Sequence, residues 1–191
     1  TSPIGDRSFV LVRYSRTSRG RWIVIDSSLE CQGSVAMVNA SAGGSSAAMV
    51  VYGAVHMVYF WDIDSYNGSM QDLELVYKSH ATCRRNVAGV ALSPNADMLT
   101  IVTRSVGKRN LLVKRRVCPN NPFVTVANIP DTIGDVLYGG RLDINTTYDM
   151  DFSPCGRFLF VCSGRHRFGS TATIAFSLDI GPLYVGLPLG A

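Results

Sequence analysis

The chain holds three histidines, two tryptophans, no C-x-x-C pair and no long apolar run, and each of these scarcities closes off a class of protein. Its longest apolar stretches, such as 47–60, are broken by Gly53 and His56. They fall short of the roughly 20 residues that a membrane-crossing helix needs, so no transmembrane helix is expected. The first ten residues show no basic region followed by an apolar block, and no signal peptide is expected. His56, His80 and His166 share no ligand spacing with cysteines or carboxylates, so a zinc site is not supported. Asp62 and Asp64 lack the other residues of a calcium loop and read as a strand end. Gly43-Gly44 is followed by neither a lysine nor a helix pattern, which excludes a phosphate loop. No cofactor and no metal are expected. The five cysteines, Cys31, Cys83, Cys118, Cys155 and Cys162, are odd in number and irregularly spaced. They read as small apolar residues in or near strands of a reducing compartment, and the expected location is inside the cell, in cytoplasm or nucleus.

Apolar residues make up 47% of the 191 and charged ones 17%, a composition that buries enough surface to offset the entropy of ordering. Chain length predicts one domain. Windows with helical spacing of apolar residues are interrupted by Gly, Pro or β-branched runs. Strand signals, in contrast, recur throughout: Phe9 to Arg13, Trp22 to Asp26, Met49 to Tyr52, Met57 to Asp62, Leu73 to Lys78, Leu99 to Thr103, Leu111 to Arg115, Phe123 to Asn128, Phe158 to Cys162 and Thr173 to Leu178. Turn-forming Gly, Ser, Asn, Asp and Pro clusters separate them. Many short strands of this spacing mean an all-β fold, whether sandwich, barrel or propeller.

Internal repetition separates those three. Val90 to Thr103 aligns without gaps onto Met150 to Ser163, an offset of 60 residues that superposes Ser93-Pro94 on Ser153-Pro154. Each copy reads as strand, tight Ser-Pro turn and strand, because proline presets φ for the first turn position. A degenerate third copy, without the Ser-Pro, fits Val35 to Tyr52 around a turn at Ser41 to Ser46. A further apolar strand follows each hairpin, and Leu73 to Lys78 and Phe123 to Asn128 supply a fourth to the first two copies.

Phe152 to Ser163 resembles the inner hairpin of a WD repeat, and Val58 to Asp64 resembles its third strand with the terminal Trp61-Asp62. Ser79-His80 stands where such repeats open with Gly-His. The resemblance covers roughly residues 34–180. It implies an all-β propeller of four-stranded antiparallel blades around a central channel, with function carried by surface contacts rather than by catalysis. Trp-Asp is replaced by Lys114-Arg115 in the second copy and by Ser177-Leu178-Asp179 in the third, so the tetrad of an ideal repeat is incomplete. Blades are expected at roughly 1–33 (partial), 34–79, 80–130 and 145–180. A ring of 4 to 8 such blades needs more chain than this, so the chain is expected to be part of a larger propeller.

In a propeller the loops between second and third strands share one end. The segments assigned to them carry Arg16, Arg19, Arg21, Arg104, Lys108, Arg109, Arg165 and Arg167 and no Asp or Glu. The opposite loops are assigned Asp26, Glu30, Asp62, Asp64, Asp72, Asp97 and Asp179. Eight cations on one end would steer an acidic partner. The expected partners are protein subunits of a multi-subunit assembly, with RNA as the second possibility. Only Tyr14 and Phe168 offer stacking surfaces there, fewer than single-stranded RNA calls for.

Two catalytic readings compete. Lactonase-like propellers are similar over Asp151 to Asp179. Cys155-Gly156 with Gly164-Arg165-His166 resembles segments of chymotrypsin-like viral cysteine proteases, yet the repeated hairpin accounts for the same residues.

Overall fold

The computed structural model describes residues 8–16, 22–32, 34–52, 55–62, 73–79, 87–105, 108–130, 148–167 and 170–181. Among them are thirteen strands in four antiparallel sheets. A two-stranded sheet pairs β1 (Ser8–Arg16) with β2 (Trp22–Gln32). The first four-stranded sheet runs in order β3 (Ser34–Ala40), β4 (Ser46–Tyr52), β5 (His56–Asp62), β6 (Glu74–Lys78). The second runs β7 (Val87–Leu92), β8 (Met98–Ser105), β9 (Lys108–Arg115), β10 (Val124–Pro130). A third holds β11 (Tyr148–Phe152), β12 (Phe158–Arg167) and β13 (Ser170–Asp179). No helix among the described residues is long and apolar enough to cross a membrane.

Strands β4 and β7 show why the sheets stack. The run Ser46 to Val51 is buried at every position, as is Val87 to Leu92. A strand covered on one face alternates apolar with polar, whereas one covered on both faces reads as an unbroken apolar run. Two cores result. Ala48, Val50, Val58 and Phe60 of the first sheet pack with Val90, Leu92, Leu99 and Ile101 of the second. On the other side of the second sheet, Ala91, Met98, Val102 and Val113 pack with Met150, Phe152, Leu159 and Val161 of the third. Each fully buried Val, Leu or Met in these layers is worth about 1.5–3 kcal/mol.

Hydrogen bonds align the first two sheets end to end. At one end Asn39 Oδ1 accepts the Leu92 N–H at 2.9 Å. At the other, His56 Nδ1 accepts the Val87 N–H at 3.2 Å, and the Tyr52 hydroxyl donates to the Val87 carbonyl at 2.9 Å. On the outer strands, Glu74 Oε1 accepts the Phe123 N–H at 2.9 Å. The sheets therefore run parallel as units, with β3, β7 and β11 adjacent on the inner side. Consecutive antiparallel sheets, each ordered from inner to outer strand and stacked face to face, are blades, and the chain is part of a β-propeller.

All three inner hairpins turn on the same corner. Ser41, Ser93 and Ser153 each accept a backbone bond from the residue three positions on, at 2.9, 2.9 and 2.8 Å. The hydroxyl of each accepts the N–H five positions on, from Ser46, Met98 and Phe158, at 3.2, 2.9 and 3.0 Å. Gly44, Ala96 and Gly156 follow at φ 69°, 59° and 73°. Ser41 has no proline after it and makes the corner regardless.

Candidate functional site

The register of the second and third blades places the basic segments on projecting strands rather than loops. In the second blade β7 reaches only to Val87, opposite Thr103, and β10 ends at Pro130, opposite Asn110. Strands β8 and β9 continue past both, pairing Arg104 with Arg109 and Ser105 with Lys108. In the third blade β11 starts at Tyr148, opposite Ser163, while β12 and β13 go on to pair Arg165 with Ala172 and Arg167 with Ser170. Each blade thus extends a two-stranded arm, with two residues left between its strands. Connections that short hold the ladder together to the tip, which is why strand geometry wins where Gly, Ser and charged residues suggest a loop. Among the described residues the first blade has no arm, since β3 pairs up to Tyr52 and β6 up to Met57.

Arg104, Lys108 and Arg109 occupy one arm, Arg165 and Arg167 the other. The two blades are related by the 60-residue repeat and their inner strands β7 and β11 pack together. Like charges at directly opposed register positions, such as Arg104 and Arg109, oppose pairing by a few tenths of a kcal/mol to about 1 kcal/mol. Arg16 ends β1 opposite Trp22, in the separate two-stranded sheet. Arg19 and Arg21 lie outside the described residues. The structure therefore joins five of the eight cations to two repeat-related arms and leaves Arg16 on another sheet.

The acidic set divides as well. Asp26 and Glu30 are not loop residues: both lie within β2, paired with Arg13 and Val10. Asp62 and Asp179 end the third strands of their blades, and Asp97 sits in the second corner, where its Oδ1 accepts from the Ser93 hydroxyl at 2.9 Å. Asp64 and Asp72 lie outside the described residues.

Sequence patterns gave no sign of Arg116. Only 6% of it is exposed. Its Nε donates to the Ala96 carbonyl at 2.8 Å and its Nη1 to the Pro119 carbonyl at 2.9 Å. The guanidinium lies 4.4 Å from the Phe60 ring centre and 5.3 Å from that of Phe123, and the two rings meet edge to face. Burial lowers its pKa, opposed by the Glu74, Asp62 and Asp97 carboxylates. Arg116 fixes the first blade to the second; its backbone N–H bonds to Asp97 as that of Ile180 bonds to Arg157 in the third. That correspondence with Ile180 was the available signal, and it needs the fold to be seen.

Cys155 lies in the corner before β12 and His166 near the far end of that strand. At about 3.3 Å per residue they are roughly 30 Å apart, too far for a nucleophile and its base. Cys155 is exposed in the third corner, 3.2 Å from the Ser153 hydroxyl, whose hydrogen bond holds the thiol below its ordinary pKa. Cys118 is likewise exposed. Both are free and lie near strands, as the sequence suggested, in turns that present their side chains to solvent. Among the described residues no three His, Cys, Asp or Glu side chains gather as metal ligands.

No protein-family model matches the chain, and no curated protein does. Among solved structures it is similar to TolB from Acinetobacter baumannii, with 13% identity over 92% of this chain and 39% of that one, at a TM-score of 0.49. It is also similar to the β-propeller domain of the trilobed protease from Pyrococcus furiosus, with 8% identity over 90% of this chain and 50% of that one, at 0.47. For the β-propeller domain of Cps50 (Swd1) from Myceliophteria thermophila the figures are 12%, 90%, 50% and 0.47. The chain thus spans half the length of these structures or less. At such identities and scores the propeller assignment stands on this chain's own corners, sheet order and inter-blade bonds.

Proposed function

We propose that the chain is a non-catalytic, WD-repeat-like propeller segment that serves as a binding platform, and that its two projecting arms dock an acidic protein within a larger assembly. The observation that carries this reading is the extension of β8–β9 and β12–β13 beyond their blades, with cations and no carboxylates on the extensions. Strands that outrun their neighbours add little to the core. Setting Arg104 opposite Arg109 costs pairing energy, which an anionic partner would offset. Sparse aromatics on these segments favour an acidic protein over single-stranded RNA.

The test replaces Arg104, Lys108, Arg109, Arg165 and Arg167 together by glutamine. Poly-glutamate and an oligouridylate of matched charge serve as probes. Poly-glutamate should bind the parent chain with an affinity that falls as salt rises, and the fivefold variant should lose about tenfold or more of it along with most of the salt dependence. Equal binding by parent and variant would reject the arms as the site. Tighter, arm-dependent binding of the oligouridylate would favour RNA instead.

A further inference from the structure

We infer that the acidic partner threads one extended segment between the two arms, held by Arg104 and Arg109 on one side and by Arg165 and Arg167 on the other. This rests on the docking role proposed above. The β8–β9 ladder runs without a bulge from Met98 paired with Arg115 to Ser105 paired with Lys108, so alternate positions keep to one face of the sheet out to the tip. Met98, Val102, Leu111 and Val113 belong to the core shared with the third blade. Arg104 lies two positions after Val102 and Arg109 two before Leu111. Both therefore stand on the side of the second blade that faces the third. The β12–β13 ladder is equally regular, from Phe158 paired with Asp179 to Arg167 paired with Ser170. Leu159 and Val161 lie in the same shared core, and Arg165 and Arg167 continue their alternation on the side that faces the second blade. Lys108 and its partner Ser105 fall on the opposite face, with Leu99 and Ile101 toward the first blade. The arginines of the two arms thus occupy facing sides, and the lysine does not.

That placement selects the occupant. Sheets stacked face to face lie about 10 Å apart, so cations on both facing sides repel one another, and an anionic segment between them relieves the repulsion. A guanidinium offers a planar fork that matches a carboxylate, whereas an ammonium is a point charge. Successive side chains of an extended segment go to opposite sides. Consecutive acidic residues therefore reach both arms, while acidic residues at alternate positions reach only one. Arg165 and Arg167, two apart on β12, recur at about 7 Å, the spacing of carboxylates two apart on such a segment. Their register partners Ala172 and Ser170, on the same face, are small and carry no charge to compete for the segment.

Two labelled octapeptides of equal charge serve as probes, each with four glutamates and four serines, consecutive glutamates in one and alternating glutamates in the other. Binding is read by fluorescence anisotropy at low salt, and retention of the thermal transition checks that each variant folds. The parent chain should bind the consecutive peptide about tenfold more tightly than the alternating one. R104Q/R109Q and R165Q/R167Q should each weaken the consecutive peptide about tenfold and erase the preference. Combining the two pairs should cost little more than either alone, because one segment needs both arms. K108Q should change binding by less than about twofold. Equal binding of the two peptides by the parent chain, or a loss in K108Q as large as in either arginine pair, would overturn the threading while leaving the arms as the docking site. Undiminished binding by the variant lacking all four arginines would overturn both.

Discussion

Gly44 illustrates how the corner works at the level of one residue. An added Cβ there would meet no atom within 4 Å, so Gly44→Ala isolates the cost of holding a side chain at φ 69°. Loss of about 1–2 kcal/mol is expected, read from urea unfolding. Ala96 holds the same conformation at φ 59° with its methyl buried between the blades, so that burial offsets strain. Asp179 provides a test by pH. Its carboxyl sits below the ordinary aspartate value, first through the Arg157 hydrogen bond and then through the Gly181 N–H. A depressed folded value means that the contribution is present above the unfolded value and is lost as pH falls through the folded one. Carbon-13 titration should find Asp179 low, and Arg157→Gln should raise it toward the ordinary value. The corners were legible: Ser93-Pro94 and Ser153-Pro154 announced two of them and the turn at Ser41 to Ser46 the third, while the hydroxyl bond that all three serines share is visible only in the structure.

Between elements, the most demanding contact is Arg116, held by two carbonyls and two rings. Arg116→Ala should cost about 2–3 kcal/mol in chemical denaturation, since it removes charge-assisted bonds and packing together. Arg116→Ile, which places there the residue that the third blade uses as Ile180, should cost less. No sequence pattern exposes Arg116, because the Phe60 ring and the Ala96 carbonyl that hold it come from distant segments. The arms were misread for a related reason: their composition is that of loops, and only register shows strands continuing past β7, β10 and β11. The apolar stretch Met49 to Tyr52 did reveal a strand at β4, though not its burial on both faces, and the gapless repeat revealed the hairpins of the second and third blades, because both depend on local chemistry.

For the whole molecule, the bonds from Leu92 to Asn39 and from Val87 to His56 set one end of the first two blades apart from the other. The repeat extends that polarity to the third blade, and the proposed docking falls at the end that carries the arms. Backbone amide shifts followed during titration with poly-glutamate test this most directly. Residues 104–109 and 165–170 should shift together in one transition while the corners at Ser41, Ser93 and Ser153 stay still. Shifts at the corners, or in one arm without the other, would contradict a single binding end.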